Sequence, residues 1–102
     1  MDIQQVKVNN MRNSRGNLVP NQFTIRVKSN SKDQVGFDAV YFQSYDTIIA
    51  VKRSPKGAVT LDREMWDYSV TTGKYRNQFL GVDKYETECR INSGEYQLAD
   101  LN

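Results

Sequence analysis

The only side chains in this chain whose types and spacing could hold a metal are two groups of carboxylates, Asp62, Glu64 and Asp67, and Glu86 with Glu88. With a lysine nearby, such groups could serve a metal-dependent nuclease. The plainer reading is helix capping and solvated faces, and it is the one adopted here. The chain has no histidine. That removes the commonest general base, the Ser–His and Cys–His nucleophile pairs, and imidazole metal ligands. A lone cysteine, Cys89, excludes a cysteine-based zinc site. It falls on an apolar helical stripe and reads as buried filler. Gly73-Lys74 lacks the upstream glycine and spacing of a phosphate loop. The sequence therefore points to a protein that is not an enzyme, with no catalytic residues, no metal and no cofactor.

Binding chemistry is better represented. Residues 1–32 carry six cations against one acid, whereas residues 61–102 carry five cations against eight acids. This asymmetry fits a basic face for a polyanion or an acidic protein, although cations also protect strand edges from aggregation. Arg12 and Arg15 lie on an Asn-rich turn, with Tyr41 and Tyr45 as aromatic candidates. Arginine and tyrosine are enriched in interface hot spots, so these four are the expected partner-binding residues. Lys7, Arg26 and Lys28, together with Thr71, Thr72 and Lys74 at a helix start, are the candidates for an anion or nucleic acid. Trp66 and Tyr68 could stack bases, but the aromatic set reads mostly as core.

The elements that must position these side chains follow from periodicity. Val6 and Val8 alternate with polar residues, as do Phe23, Ile25 and Val27, which predicts two half-buried strands. Residues 13–17 are a turn, since asparagine and glycine accept positive φ. Pro20 confines its strand to one neighbour near its start. Residues 29–36 read as a polar loop. Val40 and Phe42, the β-branched run from Thr47, and residues 58–61 give further strands, joined by turns at Tyr45-Asp46 and at residues 54–57.

The period then changes. Ser69 or Thr71 can cap a helix that places Tyr75, Phe79 and Val82 on one face, and Gly81 stops it. Asp83 with Glu86 resembles a capping box, opening a second helix with Tyr85, Cys89 and Asn92 on its stripe and Gly94 at its end. The expectation is one α+β domain over residues 1–102. Its sheet is mainly antiparallel, with hairpins 3–28 and 39–61 and a final strand 96–101, and two short helices lie within 70–93.

Residues 9–17 (NNMRNSRGN), 42–50 (FQSYDTIIA), 68–81 (YSVTTGKYRNQFLG) and 93–102 (SGEYQLADLN) resemble a family of small uncharacterised proteins of bacteriophages and other mobile elements. The resemblance implies a phage or prophage origin and no assigned activity. It leads to a non-enzymatic binding protein that acts on a host protein, a defence-system inhibitor such as an anti-CRISPR being the most concrete form. The alternative is a sequence-tolerant nucleic-acid binder. No apolar run approaches a membrane span. The first residues show no basic region followed by an apolar core, so a cytoplasmic location in the host bacterial cell is expected.

Overall fold

The computed structural model describes residues 2–31, 34–54 and 57–102. The order is β1 (Asp2–Arg12), β2 (Leu18–Ser31), β3 (Gln34–Ser44), β4 (Thr47–Ser54), β5 (Ala58–Asp62), α1 (Val70–Leu80), α2 (Lys84–Asn92) and β6 (Tyr96–Ala99). The strands form one sheet in sequence order, β1 to β6. Neighbours β1 to β5 are antiparallel, and β6 runs parallel to β5. The two helices are the crossover that a parallel neighbour requires. The α+β domain with a mostly antiparallel sheet and two short helices is the predicted one.

The helices form where capping and stop residues agree. The Ser69 hydroxyl accepts from the Thr72 N–H, and Gly81 closes α1 at φ 77°. The Asp83 carboxylate accepts from the Glu86 N–H and opens α2. Both helices pack on one face of the sheet. Met11, Phe42, Ile49, Ala50, Val59, Leu61 and Tyr96 meet Tyr75, Phe79 and Leu80 there. A bulge between Phe42 and Gln43 turns both Ile49 and Ala50 toward this core.

Several expectations need correction. Residues 29–36 are not a loop. β2 runs to Ser31 and β3 starts at Gln34, because the hairpin ladder is satisfied by backbone groups whatever the side chains. Lys32 and Asp33 lie outside the described residues, as do Pro55 and Lys56 of the predicted turn at 54–57. The last strand ends at Ala99 rather than 101. Beyond it, Asn102 uses its side-chain amide like a strand, accepting from the Ile48 N–H at 2.8 Å and donating to the Ile48 carbonyl at 2.9 Å. Val6 and Val8 are 57% and 59% exposed, not half-buried. Along α2, Tyr85, Cys89 and Asn92 face solvent; Thr87 is buried and Ile91 packs on the core. The lone cysteine is thus exposed and fills no core.

Gly73, inside α1, illustrates how the sequence departs from maximal stability. A methyl group there would meet the Arg76 guanidinium at 3.6–3.9 Å, an ordinary van der Waals distance. Alanine also has the higher helix propensity. Gly73→Ala is therefore expected to stabilise the chain by about 0.5–1 kcal/mol. A urea midpoint that falls instead would contradict this packing.

Candidate functional site

The structure separates the expected binding residues into three places. The first is the β1–β2 tip. The Asn13 side chain accepts from the backbone N–H groups of Arg15 and Asn17, and Gly16 takes φ 80°. Arg12 donates to the Gly16 carbonyl at 2.7 Å, so its guanidinium fastens the turn. The Arg12 carbonyl accepts from Gln78 on α1 at 2.9 Å, which ties the tip to the helix layer. Arg15 is exposed.

The second place is the β3–β4 turn. Tyr45 is 51% exposed and sits at φ 58°, the left-handed region that favours glycine. Two bonds hold it there. Its N–H donates to the Asn21 carbonyl at 2.7 Å, and its own carbonyl accepts from the Gln43 amide at 2.7 Å. Asn21 has φ 64°, a conformation that costs asparagine less than it costs tyrosine. The neighbouring Ser44 hydroxyl meets Thr72 of α1 at 2.9 Å in a buried contact. Tyr68, 57% exposed, and Val70, 92% exposed, flank the cap of that helix. Tyr45 follows Ser44 in sequence, and the exposed Tyr68 and Val70 flank Ser69, whose hydroxyl also meets that of Thr72. Trp66 packs half-buried against the core, as expected for part of the aromatic set. Tyr41 is elsewhere, half-buried on the opposite side of the sheet.

The third place is a groove of about 180 Å³ lined by Gln5, Lys7, Arg26 and Lys28. Lys7 and Arg26 are cross-strand partners, so pairing of β1 with β2 brings the three expected cations together. Arg26 is already engaged by Asp38, at 2.5 Å from Nη2 to Oδ2 and 3.1 Å from Nε to Oδ1. That bonding holds the Asp38 carboxyl below the usual carboxylate range. The helix-start candidates do not join this groove. Thr72 is fully buried and its hydroxyl is shared between Ser44 and Ser69, which corrects its assignment to an exposed anion site. Thr71 is exposed, and the Lys74 ammonium lies 5.5 Å from the Tyr75 ring centroid.

The carboxylates are structural. Among the described residues no group of three potential ligands could hold a metal ion. Burial pushes the Asp62 carboxyl up, but N–H donors from Leu101, Met65 and Glu64 and the Asn102 amide outweigh it and hold the group below the usual range. Asp62 thereby fastens the C-terminal segment to β5. Lys84 and Arg76 hold the Asp67 carboxyl low in the same way. Lys52 is half-buried over the Phe79 ring and donates to the Phe79 carbonyl at the end of α1; burial pushes its ammonium pKa down.

Sequence reasoning missed Arg76, which is 1% exposed in the core. Its signal is the stripe Thr72, Arg76, Leu80 at i, i+4, i+8, all three buried. A charged residue inside an apolar stripe, nine and ten residues after Asp67 and Trp66, marks a buried anchor rather than a ligand site.

The fold defines a class: a single sheet with helices on one face and small binding candidates at its turns. The chain belongs to the family of unknown function DUF8033, whose model matches residues 6–95. No curated protein and no solved structure matches it. No helix among the described residues is long and apolar enough to cross a membrane.

Proposed function

We propose that this chain is a non-enzymatic binding domain of a bacteriophage or other mobile element, and that it works by occupying the surface of a host protein. Inhibition of a host defence system, in the manner of an anti-CRISPR, is the most concrete form of this reading. The observation that supports it is Tyr45. A left-handed backbone costs a non-glycine residue on the order of 1–2 kcal/mol, and this one keeps its ring open to solvent. Glycine would fill the turn without strain. A rigid, exposed aromatic held at such a cost is what a preorganised binding anchor looks like. The exposed Tyr68 and Val70 offer further contacts, and the tip arginines Arg12 and Arg15 supply the cations.

The test is a pull-down from the bacterial host, with and without nuclease, using the wild type and Tyr45→Gly. The substitution is expected to raise stability by about 1 kcal/mol as strain is relieved. It is expected to weaken the partner by about 2 kcal/mol or more, as loss of a hot spot does. A partner retained at full affinity by Tyr45→Gly removes this anchor, and the absence of any reproducible protein partner removes the reading.

A second reading rests on the groove shared by Lys7, Arg26 and Lys28, which suits the phosphates of a sequence-tolerant nucleic-acid site. In that case every partner vanishes with nuclease, and binding falls steeply with salt.

A further inference from the structure

We propose that the cleft between the end of α1, α2 and strands β4 to β6 is a binding site for a small organic carboxylate. It is separate from the surface around Tyr45 and from the groove at Lys7. The register sets Lys52 of β4 beside Val59 of β5, and Val59 beside Tyr96 of β6. Cross-strand partners share a side, so the three form one row on the side that carries the helices. Leu80 at the end of α1 and Arg90 of α2 border the same row, and together these side chains line a cavity of about 400 Å³. That is at the smaller end of the roughly 300–1,000 Å³ range of small-molecule sites.

The two cations of this cavity complement each other. Arg90 is held by Glu86 at 2.9 Å, by Glu95 at 3.2 Å and by the Tyr96 hydroxyl at 3.3 Å. Its charge is met and its position fixed. These contacts use Nε and Nη1, which leaves Nη2 open among the described residues. Lys52 is the reverse case. Its ammonium is half-buried and forms no ion pair among the described residues. It meets only the Phe79 carbonyl, which takes one of its three hydrogens, and the Phe79 ring. Burial pushes its pKa down, because the charge has lost water and gained no anion. A carboxylate in the cavity would supply that anion and accept from both Lys52 and Arg90. A single negative charge suits the site. Glu86 and Glu95 already neutralise Arg90, so a dianion such as phosphate would meet their repulsion. Val59, Leu80 and the Tyr96 ring favour an apolar body behind the carboxylate.

Titration with sodium benzoate, followed by amide NMR shifts, tests the proposal. Benzoate is expected to move the Gly57, Val59 and Tyr96 amides along a saturable curve, with a Kd of about 1 mM or tighter. Benzamide, its neutral analogue, and inorganic phosphate should give no saturable shift at these amides. Lys52→Met keeps the apolar stem and removes the ammonium. It should weaken benzoate by about tenfold or more, as loss of a charge-assisted hydrogen bond does. Arg90→Gln should weaken it to a similar extent, and it tests the site from α2 if Lys52→Met does not fold. A dispersed amide spectrum shows that each variant is folded. The proposal is overturned if benzoate gives no saturable shift well above that concentration, or if benzamide or phosphate binds as well. An unchanged benzoate affinity in a folded variant of either residue overturns it too.

Discussion

Arg76→Ala is expected to destabilise the chain by about 3 kcal/mol or more, with a fall in the urea midpoint to match. The guanidinium is 1% exposed and spends its donors within the chain. Nη1 donates to the Trp66 carbonyl at 2.8 Å and to Asp67 at 3.2 Å, and Nη2 donates to the Asn77 side chain at 2.8 Å. Its Cζ lies 5.2 Å from the centroid of the Trp66 ring. These bonds join the segment before α1 to the second turn of the helix. Truncation leaves a cavity and strands the Trp66 carbonyl and the Asn77 amide oxygen. Asp67 is not orphaned, because Lys84 stays within 2.8 Å of it, and this places the cost near the lower end for a broken buried pair. Arg76→Lys keeps the charge but not the planar fork that reaches three acceptors, so it should recover only part of the loss. Trp66 is the only tryptophan, so its emission reports the site directly. Stability within about 0.5 kcal/mol of wild type in Arg76→Ala would refute the anchor.

The parts of this fold that were legible in the sequence are those specified by local chemistry. Ser69, Gly81 and Asp83 set helix boundaries through hydrogen bonds and φ preferences that act within a few residues. Gly16 marks a turn for the same reason, at φ 80°. What was not legible depends on which side of a strand finds a partner. Alternation at Val6 and Val8 predicts a strand correctly but does not say that the helices pack on the other side. Cys89 and Tyr85 share a helical stripe, yet α2 turns Thr87 and Ile91 inward, a choice fixed by the sheet and not by the helix. The site divides along the same line. Charge alone points to Lys7, Arg26 and Lys28, and their shared groove comes from the register of β1 on β2. The strain at Tyr45 is set by its contact with Asn21, twenty-four residues away in sequence, and no local pattern records it.

The other large effect is expected in the core. Phe42 is fully buried on β3 and Phe79 is 9% exposed on α1; their rings stack at 5.7 Å between centroids. They are the principal apolar bridge between sheet and helix layer. Phe42→Ala and Phe79→Ala should each cost about 3–5 kcal/mol, the range for truncating a buried phenylalanine. The domain's total stability is on the order of 5–10 kcal/mol, so either variant would lie close to unfolding at ambient temperature. Phe79→Ala carries an added loss, because Lys52 sits 4.6 Å from that ring centroid. In Phe42→Ala the cation keeps its ring. The two truncations should not add. The second removes a contact already lost, and a coupling of about 0.5–1.5 kcal/mol is expected from a double-mutant cycle. A Phe79→Ala variant within about 1 kcal/mol of wild type would mean that α1 does not rest on β3 through this pair.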